Sequence, residues 1–333
     1  MPADMIQVAV GIIINNANEV LLTRRPRDVH QGGLWEFPGG KLETGEDVPT
    51  ALARELREEL GLIVEKAHTF MNLSYAYPDR SVMLNVCVVN KWQGTPHSRE
   101  GQTVRWVNTE RLLEYNFPPP DEAIIKALHL PPLYLISPDP GDVSVDDYCS
   151  RIEECIKAGA RLLQLRCHEE TYHRCPDLVM RIFAICESHN ALLLLNSTPA
   201  TAVCLNVHGV HLNSSRLLQL SERPLNKHFW LSASCHNRSE VMQACRIGID
   251  FIVLSPVQAT ASHPHAQPLG WEKFSKLVEM ANMPVYALGG MQPQHLPRAW
   301  GCGAQGVAML SAVWSAGLPA DVVRQCLQTR RYN

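Results

Sequence analysis

The sequence predicts an α/β chain in two parts: a mixed sheet with helices over residues 1–131, then an eight-stranded (β/α)₈ barrel over residues 132–333. Three observations predict it. The chain has 333 residues, enough for two domains that each bury a core. Pro131-Pro132 interrupts the chain where its pattern changes. Beyond that point short apolar runs recur eight times with helical spacing between most of them, the pattern of a barrel of parallel strands. An open doubly wound sheet is the alternative, but it more usually shows five or six strands.

The elements follow in order. Val8 to Ile14 and Val20 to Thr23 read as paired strands around the turn Asn15-Asn-Ala-Asn18. A loop then leads through Trp35-Glu36-Phe37-Pro38-Gly39-Gly40 to a helix over about Val48–Leu60. Pro49 suits its first turn, Gly61 its C-terminal stop, and Leu52, Leu56 and Leu60 form its buried stripe. Further strands fit Met83 to Asn90 and Val104 to Val107, and a helix Asp121 to Leu128 follows Phe117-Pro-Pro-Pro120. In the second part the runs are Leu133–Ser137, Arg161–Arg166, Ala191–Asn196, Gly209–Asn213, Trp230–Cys235, Phe251–Pro256, Pro284–Gly290 and Gly306–Ser311. Helical spacing marks Val145–Ala158, Pro176–Ser188, Arg238–Ile247 and Trp271–Met280.

Composition narrows the function. With 46% hydrophobic residues the chain is globular, and a formal net charge of -3 excludes a binder of polymeric nucleic acid, which needs a basic surface. A small anionic substrate held through metal suits that balance. No two of the 11 cysteines are as close as a C-x-x-C pair, so neither a zinc site nor a disulfide framework is expected. The first residues lack a basic leader, and Val8 to Ile14 is too short and too interrupted to span a membrane, so a cytoplasmic location is expected.

The chemistry gathers between Gly40 and Leu62. Glu55, Glu58 and Glu59 stand at i, i+3 and i+4 of the helix, so their side chains leave one face within reach of a common ion. Hard oxygen donors select Mg²⁺ or Mn²⁺ over zinc or copper. The plainer reading is a solvated acidic face offset by Arg54 and Arg57. Spacing decides against it: Gly40, five residues, Glu46, seven residues, then Arg54-Glu55-Leu56-x-Glu58-Glu59-x-Gly61-Leu62 resembles the Nudix box at every defining position.

The resemblance extends over Ile6 to Leu128 and is specific to the MutT branch. It is carried by Ala9-Val-Gly-Ile-Ile13, Thr23-Arg-Arg25, Leu34-Trp-Glu-Phe-Pro-Gly-Gly40, Pro78-Asp-Arg80, Lys91-Trp-Gln-Gly-Thr-Pro96, Arg99-Glu-Gly-Gln102 and Phe117-Pro-Pro119. It implies an α/β/α sandwich around a mixed sheet and a Mg²⁺-dependent nucleoside triphosphate pyrophosphohydrolase acting on oxidised guanine nucleotides to prevent mutation. To Glu55, Glu58 and Glu59 it adds the carbonyl of Gly39 and the carboxylate of Glu100 as metal ligands, and Glu55, Glu59 and Glu100 stay open as the general base. Arg54 is expected to orient the glutamates by a bidentate hydrogen bond, which Lys makes poorly. Arg25, Glu36, Phe37 and Arg80 match nucleotide-binding positions, and Tyr77 is either an aromatic wall for the base or a packed strand residue. One position departs: the branch reads the purine edge with Asn where this chain has Asp121, so substrate preference is expected to differ while the reaction class stays.

The barrel resembles the thiamin phosphate synthase and TenI group through Gln164-Leu-Arg166, Asn196, Gly209-Val-His-Leu212, Ser234-Cys-His236, Ser255-Pro256, Ala287-Leu-Gly-Gly-Met291 and Gly303-Ala-Gln-Gly-Val-Ala-Met-Leu-Ser311. Gly289, Gly290 and Ala308 fall where barrels cradle a phosphate, or serve only strand-to-helix packing. The resemblance places Arg166, Asn196 and His236 beside a phosphorylated thiazole-like ligand. The synthases' two aspartates and two lysines for Mg-pyrophosphate are matched here by Ser197, Arg216, His168 and His263, which disfavours metal-dependent condensation. His236 stands where TenI, a tautomerase, has its proton-shuttling histidine. Two alternatives remain: a barrel that senses a phosphorylated ligand and regulates the hydrolase, and a hydrolase acting on thiamin-related pyrophosphates.

Overall fold

The computed structural model describes residues 5–27, 31–141, 143–260 and 267–329, and the chain divides into two compact units, Met1–His129 and Leu130–Asn333. The first holds two sheets. β1 (Met5–Ile13), β4 (Gly39–Lys41), β5 (Ile63–Ala76) and β6 (Ser81–Gln93) form one, in the order β4-β1-β6-β5, while β2 (Glu19–Arg24), β3 (Trp35–Glu36) and β7 (Thr103–Asn108) form the other, in the order β3-β2-β7. Helix α1 (Val48–Leu60) lays Leu52 and Leu56 over β1, where Gly11 leaves room: a Cβ there would sit 3.2 Å from Leu52 and 3.3 Å from Leu56. Helix α2 (Pro119–His129) closes the unit.

One expectation needs correction. β1 and β2 do not form a hairpin; a single bridge, Ile14 to Val20, joins them. Both edges of β1 are taken, antiparallel by β4 and parallel by β6, so after the turn the chain crosses to the other sheet. The turn itself is built as expected, with the Asn15 carboxamide accepting the N–H groups of Ala17 and Glu19, and Asn18 at φ 57°. The sequence also concealed β5. Its pairing with β6 shifts register between Val64 and Lys66, Lys66 and Ala67, and Thr69 and Met71, which breaks the period-two alternation that would have announced it.

In the second unit eight parallel strands close a barrel: β8 (Leu133–Ile136), β9 (Leu162–Leu165), β10 (Leu192–Leu195), β11 (Gly209–Leu212), β12 (Trp230–Cys235), β13 (Phe251–Leu254), β14 (Val285–Ala287) and β15 (Gly306–Met309). Alternation along each strand separates two packing layers. Leu133, Leu135, Leu163 and Leu165 join the apolar layer that includes helix residues such as Ile152 and Ile182. Tyr134, Phe251 and Tyr286 belong to a second cluster, their ring centroids 5.3–5.6 Å apart. Among the described residues no helix is long and apolar enough to cross a membrane. Cys87, Cys149, Cys155, Cys167, Cys186, Cys235 and Cys326 are buried thiols, whereas Cys175 and Cys204 are exposed.

Candidate functional site

Helix α1 runs over the residues expected. Asp47 caps it by accepting the Thr50 N–H at 2.9 Å, and Gly61, at φ 69°, ends it with its N–H on the Arg57 carbonyl. Its charged face meets β4 at Gly39 and Gly40. A Cβ at Gly39 would lie 2.1 Å from the Ala9 carbonyl oxygen, and one at Gly40 would lie 2.2 Å from the Glu55 carboxylate. Only glycine lets the strand pass between β1 and the glutamates. The loop bearing Glu100 is pinned to the end of α1, with Arg99 N–H and Gln102 Nε2 both donating to the Glu59 carbonyl.

Arg54 is the hub of this face. Its guanidinium bonds both oxygens of Glu46 (Nε–Oε1 3.0 Å, Nη2–Oε2 2.9 Å), Oε1 of Glu55 at 2.9 Å and the Lys41 carbonyl at 3.0 Å, with Glu58 at 3.4 Å. The bidentate partner is therefore Glu46 rather than one of the three helix glutamates. Its position in the box was on view in the sequence, but its role was not. Burial pushes the Glu59 carboxyl up to about 8, helped by the nearby charges of Glu36, Glu55 and Glu100, while the Gly39 N–H bonds it and works the other way. Such crowding of carboxylates fits a divalent cation of the Mg²⁺ type. Among the described residues no three acidic, His or Cys side chains close around a point. Glu55 and Glu58 turn instead toward Arg54, and Glu58 is the most exposed of the three.

Away from the box, Arg25 pairs with Glu36, and Arg80 bonds Asp79 at 2.6 and 2.8 Å. Phe37 is buried and stacks on Phe117, with centroids 5.9 Å apart, so its ring is part of the core. Tyr77 meets Tyr75 edge-on at 4.8 Å; burial, then the charge of Asp121, pushes its phenol up to about 12. Asp121 lies in the first turn of α2 with 7% exposure, and its carboxyl has no hydrogen-bond partner among the described residues. Burial first and the Glu36 charge second hold it well above the usual carboxylate range, and Arg25 opposes them. The helix N-terminus also opposes them, by about 2 kcal/mol at most, which is less than the cost of taking a carboxylate out of water.

In the barrel unit Arg166, Asn196, His236, Gly289, Gly290 and Ala308 all line one pocket of about 820 Å³. Gly289, at φ 96°, passes so close to Pro256 that a Cβ would lie 2.7 Å from it. Sequence reasoning missed two features here. His211, at the pocket wall, has Nδ1 2.8 Å from the Ser232 hydroxyl and Nε2 2.8 Å from that of Ser234; burial lowers it to about 3, so it is neutral. Glu240 accepts the N–H of His236 at 2.6 Å and contacts its Nδ1 at 2.9 Å, which leaves Nε2 as the ring's other polar atom. The motif containing His211 was legible, but its partners come from a neighbouring strand. Of the positions matched to the synthases' pyrophosphate ligands, Ser197 and Arg216 both bond Glu169, Arg216 at 2.7 Å. His168 stands 3.8 Å from Asp139, and His263 lies outside the described residues.

The sequence profile of the NUDIX domain matches residues 9–127, and that of thiamine monophosphate synthase matches residues 133–313. The 8-oxo-dGTP diphosphatase of Escherichia coli strain K12 is 42% identical over 123 residues, covering 37% of this chain and 95% of the relative. That of Haemophilus influenzae is 38% identical over 128 residues, covering 38% and 94%. The putative thiamine-phosphate synthase 2 of Aquifex aeolicus is 32% identical over 166 residues, covering 50% and 89%.

Proposed function

The chain belongs to the NUDIX family through its first unit and to the thiamine monophosphate synthase family through its second, and we propose that the first unit hydrolyses 8-oxo-dGTP to 8-oxo-dGMP and pyrophosphate. The observation that carries this reading is Glu59, bonded by the Gly39 N–H and acted on by the charges of Glu36, Glu55 and Glu100, with the Glu55 carboxylate against Gly40 and held by Arg54. A divalent cation, Mg²⁺ or Mn²⁺, held by Glu55, Glu58, Glu59, Glu100 and the Gly39 carbonyl would screen the phosphate oxygens and lower the pKa of the attacking water. The protein's own part is to place charge. Arg54 fixes Glu55 through a charge-assisted bond, and Glu46 fixes Arg54. Water adds to the β-phosphorus as the bond to the α-phosphate oxygen breaks, and its proton passes to a carboxylate, with Glu55, Glu59 and Glu100 the candidates. Arg25 and Arg80 are the cations for the nucleotide, each exchanging an acidic neighbour for it. The full chain, assayed with normal and oxidised nucleoside triphosphates and with thiamin pyrophosphate, tests the reading: turnover of thiamin pyrophosphate alone would replace it.

For the barrel we infer a small phosphorylated ligand and proton transfer without metal. Supporting this, His236 is held by Glu240 at the pocket, and the Glu169 carboxylate is neutralised by Arg216. A strain lacking thiamin phosphate synthase, supplied with this chain, should remain auxotrophic. Growth would overturn the inference.

A further inference from the structure

Beside the barrel pocket the chain supplies an anion to itself. Arg166, Asn196 and Asn213, which directly follow β9, β10 and β11, line the pocket. A short way on from each of them stand Glu169, Ser197 and Arg216, and these three come together. Oε1 of Glu169 accepts the hydroxyl of Ser197 and, at 3.2 Å, that of Thr201, while Oε2 accepts Nη2 of Arg216 at 2.7 Å. The Asn213 side chain in turn accepts the Arg216 N–H at 2.8 Å, which ties the cluster to the pocket wall. Ser197 is fully buried, whereas the side chains of Glu169 and Arg216 are 34% and 28% exposed, so the cluster is reached from solvent. Two hydroxyls and a guanidinium around one point are the donor set of an oxyanion site, and here a carboxylate of the same chain fills it. Fixed charge on the pocket wall is correspondingly sparse. Arg166 is the one lysine or arginine among the described residues that line it.

We propose that Glu169 is the built-in occupant of a second anion subsite, and that it restricts the barrel to ligands carrying a single phosphate and turns away diphosphates. This rests on the phosphorylated-ligand reading of the pocket. A monophosphate needs one cationic anchor, and Arg166 stands in the wall to provide it. A diphosphate brings a further anionic group, which must either meet the Glu169 carboxylate as a like charge or displace it from three donors. Arg216 cannot serve that group while it is held by Glu169. Removing the carboxylate frees the guanidinium and both hydroxyls together, so one substitution should convert exclusion into binding.

The test is titration of the full-length protein with inorganic phosphate and with pyrophosphate. Buffer free of divalent metal leaves the carboxylates of the first unit no cation with which to draw either anion. The wild-type chain should bind phosphate, and pyrophosphate no more tightly. Glu169→Ala should tighten pyrophosphate relative to phosphate by about tenfold or more. Glu169→Gln, which keeps the shape and loses the charge, should move the same way and decides the matter if the alanine variant fails to fold. Adding Arg216→Ala to Glu169→Ala should return the pyrophosphate Kd to within about twofold of the wild-type value. A cluster that only braces the fold would shift the melting temperature and leave the ratio of the two Kd values alone. A gain that persists without Arg216 would overturn the proposal. Phosphate binding with an unchanged ratio would sink only the role of Glu169, whereas phosphate binding by none of these proteins would sink the phosphorylated-ligand reading of the barrel and the proposal with it.

Discussion

Glu46 gives both carboxylate oxygens to Arg54, and Arg54 in turn holds Glu55, so three residues of the box act as one rigid unit. Glu55→Gln or Glu59→Gln should cut hydrolysis by more than about a hundredfold, or about 3 kcal/mol in the barrier, with circular dichroism unchanged. Near-normal Mg²⁺-dependent turnover in either variant would remove these residues from the site. Glu46→Gln should lower kcat by about tenfold with KM little altered, because it loosens Arg54 without removing a ligand; an unchanged kcat would show that Arg54 needs no second support. Asp121 also sets a pH dependence of stability. Its folded-state pKa is raised, so above about pH 4 the unfolded chain releases a proton that the folded chain keeps, and stability falls as pH rises through that window. Asp121→Asn removes the difference, and its Tm should gain on the wild-type value steadily from about pH 4 upward. A constant gap would mean that Asp121 ionises alike in both states.

At the scale of elements, the passage of β4 between β1 and α1 decides where the carboxylates stand. Gly40→Ala should displace the Glu55 carboxylate while sparing the backbone, whereas Gly39→Ala sets a Cβ against the Ala9 carbonyl at φ 145° and should destabilise the sheet itself. Thermal melts beside activity assays separate the two: an active, stable Gly40→Ala protein would contradict the placement of Glu55. α1 was legible to the residue because its cap, proline, leucine stripe and terminal glycine all agree. β5 was not, because its irregular pairing scrambles the alternation, and the supposed hairpin failed because edge occupancy is a property of the whole sheet. The same distinction holds at the sites. Glutamates at helical spacing declare themselves, whereas the partner of Arg54 and the support of His236 by Glu240 emerge only on folding.

Over the whole molecule, eight apolar runs were enough to announce the barrel, since each strand buries both faces and stands out as a block. What the runs could not announce is the polar lining of its pocket, where His211 is satisfied by Ser232 and Ser234 of the adjacent strand. Expressed alone, residues 1–131 should hydrolyse the same nucleotides as the full chain with kcat within about twofold. A large loss, restored by adding the barrel together with a phosphorylated ligand, would favour the regulatory alternative.

The burial of the thiols carries a different consequence, concerning survival under oxidants. Peroxide attacks thiolates, and burial pushes Cys87 up to about 11 and Cys155, Cys167, Cys186 and Cys326 up to about 12, so these sulfurs stay protonated and shielded. Oxidised nucleotides accumulate when peroxide is abundant. A chain acting on them meets its substrate under conditions that inactivate many cysteine-rich proteins, and here chemical damage would fall first on Cys175 and Cys204, neither of which lies at either site.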